Sequence, residues 1–330
     1  MKEKKTTYCE AIRLGFDYLL QNYPEVFVIG QGLWSPWYVG NSMKDLDVKF
    51  GKSRIIDTPV SELACTGAAV GASLSGTKPI IVHPRMDFML YAIDPIVNQA
   101  AKWSYMTGGN ANPCVTIRSI INRGGEQGAQ HSQSLHSWFS HIPGLRVVMP
   151  SSVNDARNLL ISSVLCPDPV LYIDDRWLYE QEEVLQPYKT KNLINEGPIL
   201  INKGEDITIV SSGYSVLLIK NFLNKFSKIK IKPDLIDIRV LNPFNPDIIL
   251  DSVKKTGRLL VVDGGWKTCG FAGEVITSVL EKIDPKYLRN RPYRITLPDA
   301  PAPTSSVLEK IYYPNEDLIF QKVKSLVRGD

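Results

Sequence analysis

No stretch of the sequence approaches the ~18 consecutive apolar residues of a membrane span. The opening segment also lacks the apolar centre of a signal peptide, because Ala11, Ile12, Leu14, Phe16, Leu19 and Leu20 are interrupted by charged and polar residues. A cytoplasmic protein is the expectation. Cysteine is scarce: Cys9, Cys65, Cys114, Cys166 and Cys269 are widely spaced, odd in number and form no CxxC pair, which argues for a reducing compartment and against a zinc site. Charge of one sign is not in excess either. The net +4 comes from 38 basic and 34 acidic residues, with no like-charged block beyond the short Lys2–Lys5 start, so neither nucleic acid nor a membrane surface is an indicated partner. Histidine is rare too, and three of four (His131, His136, His141) lie five residues apart, a spacing that turns successive side chains away from one another on a helix and disfavours a metal cage. The glycine-rich stretches 124–128 and 263–265 have neither GxGxxG nor GxxxxGK[ST] spacing and are read as turns.

What is present is ordinary globular material: 330 residues, 44% hydrophobic and 22% charged, enough chain for two cores. Helical patterning over residues 8–21, opened by Thr7 with Glu10 three positions on, gives way to the apolar run 26–30. The alternation then repeats. Strands are expected at 54–57, 79–83, 115–118, 146–149 and 170–173, with helices at 61–75, about 87–106 and near 152–165. Helices alternating with short β-branched strands indicate an α/β protein whose parallel sheet is covered on both faces. From roughly 175 to 204 the pattern lapses into charged, Pro- and Asn-containing sequence, and the rhythm then restarts with strands at 207–213, 234–238 and 258–263 and helices at 216–226, 247–255 and 271–281. The expected division is a first domain over 1–185, a linker over 186–203 and a smaller α/β domain over 204–330.

Four stretches, in order, resemble one family. Phe50-Gly-x-x-Arg54-Ile-Ile-Asp57-Thr-Pro-Val-Ser-Glu62, followed by Gly67 and Gly71, is similar to the segment of 2-oxo acid dehydrogenase E1 β subunits that carries the cofactor-activating glutamate. The others are 94–102, then Gln130-His-Ser-Gln-Ser134 with 143–151, and finally 257–266 with Gly270-Phe-Ala-Gly-Glu274. Together they cover nearly the whole chain. The resemblance implies two α/β domains with parallel sheets, a transketolase-like pyrimidine-binding domain followed by a transketolase C-terminal-like domain.

The same resemblance implies thiamine diphosphate as cofactor, with a carboxyl group hydrogen-bonded to N1′ of the pyrimidine so that the imino tautomer can remove the weakly acidic C2 proton. Glu62 matches that carboxyl; read from its surroundings alone, after Ser61 as N-cap, it is an acid favoured by a helix dipole. Phe88 matches an aromatic packed beside the pyrimidine and is otherwise a core aromatic. His131 matches a histidine near the reacting centre, suited by its ordinary pKa to proton transfer or to orienting the substrate and the incoming lipoyl group; a loop histidine bonded to backbone is the plainer alternative. Backbone carbonyls of Val115, Ser163, Val164, Cys166 and Asp168 match positions that hold potassium in the family. The family's diphosphate and Mg²⁺ motif, GDG to Asn, is absent. The resemblance therefore implies an α partner that holds Mg²⁺ and the diphosphate, an α2β2 heterotetramer with the cofactor at the interface, a 2-oxo acid substrate and docking to a lipoyl acyltransferase (E2).

Two departures bear on the substrate. After the strand at 26–29 the family reads Gly-Glu-Asp or Gly-Glu-Glu; here Gly30-Gln31-Gly32 puts a neutral amide in the cofactor site, followed by the aromatic loop Leu33–Tyr38. His83-Pro84-Arg85-Met86-Asp87 replaces aromatic and small residues, and Arg85 is either a surface cation or a partner for an anionic substrate group. Decarboxylation with acyl transfer is the first expectation. A split transketolase-like, carbon–carbon bond-forming synthase and a non-catalytic paralogue are the alternatives.

Overall fold

The computed structural model describes residues 5–329 except Pro36 and Thr190. The chain divides into two compact units, Met1–Arg123 with Trp138–Glu196, and Gly197–Asp330 with Gly124–Ser137. The break at Glu196 falls inside the stretch expected as linker. That stretch is more structured than its composition suggests, because Ile199–Asn202 forms a strand.

In the first unit, Val26–Gln31 (β1), Ile55–Thr58 (β2), Lys78–His83 (β3), Thr116–Ile121 (β4), Arg146–Val148 (β5) and Val170–Asp175 (β6) pair in parallel, in the order β5-β6-β4-β3-β1-β2. Every residue of β4 and β6 is buried, as expected for central strands covered on both faces. Tyr8–Asn22 (α1) begins as foreseen, with the Glu10 amide donating to Thr7 Oγ1 at 3.1 Å. The Glu10 carboxylate, however, pairs with Arg13 at 2.7 Å and does not close the capping box. Glu62–Ser73 (α2) follows β2. The helix expected at about 87–106 is three pieces: a 3₁₀ turn Phe88–Ala92, a π-turn Pro95–Ala100 and the α-helix Ala101–Met106 (α3). Pro95, which lacks an amide donor, sits at the change of helical register. Val153–Leu165 (α4) is buried along most of its length and packs on α1, where Gly15 leaves room for Leu160.

In the second unit Ile199–Asn202 (β7), Ile207–Ser211 (β8), Pro233–Asp237 (β9), Leu259–Trp266 (β10) and Tyr293–Leu297 (β11) run in the order β11-β10-β8-β9-β7. All pairings are parallel except that of edge strand β7 with β9. Tyr214–Lys228 (α5), Asp247–Thr256 (α6), Phe271–Leu280 (α7), Ser306–Tyr312 (α8) and Glu316–Arg328 (α9) complete it. Its core joins Ile207, Ile209, Phe222, Phe226, Leu235 and Leu260 with Ile319 and Val323 of α9. Asp263-Gly264-Gly265, expected as a turn, instead continues β10, whose register with β11 shifts after Val262. Among the described residues no helix is long and apolar enough to cross a membrane.

Candidate active site

Open parallel sheets offer ligand sites at the carboxyl ends of their strands. In the first unit those ends are Gln31 of β1, Thr58 of β2 and His83 of β3, and they border a cleft enclosing about 230 Å³ of empty space, open solvent included. Its lining includes Gln31, Thr58, Glu62, Cys65, Val82 and His83. Pro59 and Val60 turn the chain from β2 into α2, and the Cys65 amide to the Ser61 carbonyl, 3.0 Å, starts the helix. Ser61 occupies the N-cap position, but its side chain makes no capping bond, contrary to expectation. Glu62 is half-buried in the first turn. One helical turn on, Thr66 falls on the same face of α2 and is fully buried. Its Oγ1 lies 3.2 Å from Nε2 of His83.

Nothing in the sequence alone marks His83 for a role. It is 2% exposed. Burial pushes its imidazole down to about 4, so the ring is neutral at pH 7. The only sequence signal for it is a lone titratable residue closing the apolar run of β3.

Gln31 does not stand alone at the rim. Its Nε2 donates to the Tyr38 hydroxyl at 2.7 Å. The loop between them is clamped by Asp57, whose carboxylate accepts from the amides of Gly32 at 2.7 Å and Trp34 at 3.2 Å. Gly32 has φ +70°, and a Cβ there would lie 2.1 Å from the Tyr38 ring, so the ring can reach Gln31 only over a glycine. The aromatic loop, whose Pro36 lies outside the described residues, thus contributes one side chain to the cleft's rim and leaves Trp37 71% exposed.

Phe88 opens the 3₁₀ turn after β3, is 36% exposed, and is not among the residues lining the cleft. His131 belongs to the other unit, on the segment Gly124–Ser137. Within that unit, Ser134 Oγ lies 2.9 Å from Nδ1 of fully buried His136, whose Nε2 lies 2.9 Å from Oδ1 of Asp263 at the end of β10. Burial alone would raise the Asp263 carboxyl. The His136 ring and the amides of Gly265 and Ala272 prevail and hold it below the ordinary carboxylate range. Gly265 is needed here, since a Cβ would come within 2.9 Å of the His136 ring. Glu126 adds a second tie, accepting from the Ser306 amide at 3.0 Å while its own amide donates to Glu309 at 2.9 Å. The Ser-His-Asp order has the look of a nucleophile triad, but Ser134 and His136 are sealed from solvent; the array positions the segment that bears His131.

The carbonyl positions Val115, Ser163, Val164, Cys166 and Asp168 gather where α4 ends and β6 begins, Cys114 Sγ contacting the Pro167 carbonyl at 3.1 Å. Two of these carbonyls already accept backbone bonds, Val115 from Val170 and Ser163 from Cys166.

Residues 4–181 match the family model described as transketolase, pyrimidine binding domain, and residues 197–319 that of transketolase, C-terminal domain. The chain is 34% identical over 333 residues to the mitochondrial pyruvate dehydrogenase E1 component subunit beta of Chaetomium thermophilum, covering 98% of this chain and 86% of that one. The chain belongs to the E1 β-subunit family of 2-oxo acid dehydrogenases. This is a thiamine-diphosphate-dependent family, and its members extend to the subunit beta of acetoin:2,6-dichlorophenolindophenol oxidoreductase from Cupriavidus necator, 36% identical over 87% of this chain and 84% of the relative. A solved structure titled split gene transketolase, inactive beta4 tetramer, superposes with TM-score 0.78 over 97% of this chain and 98% of that one; at 18% identity it shows the shared fold. E1 β membership places the transketolase-like architecture in both units, as the sequence resemblance implied.

Proposed function

We propose that the chain is the β subunit of a two-chain enzyme that decarboxylates a 2-oxo acid and passes on the acyl fragment, with Glu62 as the residue that activates thiamine diphosphate. The observation that carries this reading is the placement of Glu62. Its carboxyl lines a cleft at the carboxyl ends of parallel strands, one helical turn from buried Thr66 and beside the neutral imidazole of His83. That donor set fits a flat, nitrogen-bearing ring: a carboxyl to share a proton, and the apolar side chains of Val82 and Ile81 to keep water from it.

When bound, the cofactor supplies a carbanion at C2 of its thiazolium ring. Glu62 would share a proton with the pyrimidine nitrogen and Gln31 would present a neutral amide to the reacting end; Phe88, outside the cleft's lining, is assigned beside the ring by the family resemblance alone. His131 acts in proton transfer or in orienting substrate and acceptor. An α chain supplies the Mg²⁺ and diphosphate site in an α2β2 assembly, and a lipoyl acyltransferase is the natural acceptor. The five carbonyl positions at the end of α4 are hard oxygen donors suited to potassium.

The test is reconstitution with the α chain, cofactor and Mg²⁺. Glu62→Gln is expected to slow hydrogen–deuterium exchange at C2 of the bound cofactor by at least ~100-fold. Exchange at the wild-type rate would remove Glu62 from this role. Reduction of 2,6-dichlorophenolindophenol with a 2-oxo acid supports decarboxylation; condensation of aldehydes or sugars without dye reduction supports the split transketolase-like alternative.

A further inference from the structure

The polar residues around the Glu62 cleft are not equally committed. Gln31 is held by the Tyr38 hydroxyl, and Thr66, one turn from Glu62, is held by His83. His83 itself is tied on one side only. Its Nε2 lies 3.2 Å from Thr66 Oγ1, and among the described residues Nδ1 takes no hydrogen-bond partner. The neighbouring strand does not supply one: Ser119 of β4, aligned with His83 in register, is fully buried with its own hydroxyl unpaired. His83 is 2% exposed, yet it borders the cleft together with Gln31, Glu62 and Cys65.

A polar side chain taken out of water with half of its hydrogen-bonding capacity unused opposes folding, and a ligand that meets the unused atom relieves that cost. Burial keeps the His83 ring neutral at pH 7, so it carries one N–H and one lone pair. Thr66 decides which of the two Nδ1 can offer. A hydroxyl proton given to Nε2 leaves the N–H on Nδ1; a proton accepted from Nε2 leaves Nδ1 with its lone pair. Such a group suits a neutral nitrogen heterocycle, whose ring nitrogens accept and whose amino groups donate. The apolar side chains of Ile81 and Val82, which also line the cleft, strengthen a hydrogen bond made there.

We propose that His83 is a cofactor-contacting residue, its Nδ1 making a second hydrogen bond from this chain to the pyrimidine ring that Glu62 activates, while Thr66 fixes the imidazole through Nε2. The proposal rests on the reading of the Glu62 cleft as the thiamine diphosphate site and adds a binding residue to it. Glu62 addresses the ring with an ionisable group and His83 with a neutral one. Two polar contacts fix the orientation of a flat ring where one leaves it free to swivel.

The test uses the reconstituted α/β complex with Mg²⁺, freed of cofactor and titrated calorimetrically with thiamine diphosphate. The carboxamide nitrogen of an asparagine can stand close to the place of Nδ1, and that of a glutamine close to the place of Nε2. His83→Asn therefore keeps the contact with the cofactor and gives up Thr66, whereas His83→Gln keeps Thr66 and gives up the cofactor. Affinity and stability should then fall in opposite orders. His83→Asn is expected to bind thiamine diphosphate within about threefold of wild type and to unfold at the lower temperature of the two; His83→Gln unfolds at the higher temperature and binds at least about tenfold more weakly than wild type. His83→Phe, which offers neither bond, should lose both, and where it fails to fold the other two complexes still decide. Equal affinities in the Asn and Gln variants, or affinity that follows stability, overturn the contact, as does wild-type affinity in His83→Phe. Hydrogen–deuterium exchange at C2 separates the contact from the site. Exchange that depends on Glu62, with the Asn and Gln variants binding alike, sinks the contact alone; exchange indifferent to Glu62→Gln, or a wild-type complex that does not bind the cofactor, sinks the site on which the contact rests.

Discussion

The two units present the carboxyl ends of parallel strands in opposite ways. In the first, polar side chains at those ends, Gln31, Thr58 and His83, border an open cleft into which α2 delivers Glu62. In the second, the polar groups are consumed internally: Asp263 takes the His136 contact and two amides, Asp237 accepts from the Arg239 amide, and Ser211 donates to the Val262 carbonyl. One architecture therefore serves two ends. Where the strand ends border an open cleft, a ligand can be recognised; where they are closed over by the chain, a segment is fixed in place.

The sharpest way to break this contrast is to remove one carboxylate from each unit. Glu62→Gln should leave thermal unfolding within about 0.5 kcal/mol of wild type while C2 exchange collapses, because a half-buried cleft residue carries little of the packing. Asp263→Ala should do the reverse in stability, costing the second unit about 3–5 kcal/mol in urea denaturation, since it leaves His136 and two amides buried without their acceptor. A loss below about 1 kcal/mol would mean that the buried array is not what fixes the segment.

Acid should also separate the units. His83 has its folded pKa depressed from 6.5 to about 4, so protons bind more readily to the unfolded chain between those values. Its stabilisation is complete above pH 6.5 and is lost as pH falls towards 4, about 3 kcal/mol in all. Asp263, also depressed, holds its contribution above the ordinary carboxylate value of 3.8 and loses it only as pH falls below that. Denaturation between pH 7 and 4 should thus weaken the first unit before the second, and His83→Gln should flatten the first unit's dependence. An unchanged slope in that variant would show that another group titrates.

How much of this could be read from the sequence divides along physical lines. The rhythm of strands and helices was legible because burial imposes period and β-branched composition on β1, β3, β4 and β6 alike. Family resemblance singled out Glu62, Gln31, Phe88 and His131, but a resemblance in sequence carries no packing. It could not show that Gly124–Ser137 clusters with the second unit, which depends on His136 meeting Asp263 more than a hundred residues away. Nor could it show that Asp263-Gly264-Gly265 is strand, since the glycine that suggests a turn is there to admit the His136 ring.

The smallest expected effect tests how the rim of the cleft is held together. Tyr38→Phe removes the hydroxyl that receives Gln31 and leaves the backbone carbonyl that receives Arg176. Loss of one partly buried hydrogen bond should cost about 0.5–1.5 kcal/mol of stability. If the rim is rigid because Gln31 and Tyr38 hold each other, the variant should raise KM about twofold to fivefold with kcat unmoved, since a freed amide loosens binding and leaves the reacting carbon in place. A fall in kcat at constant KM would put Tyr38 at the chemistry itself, and the open edge of the first unit would then be catalytic from Glu62 to the loop that carries Tyr38.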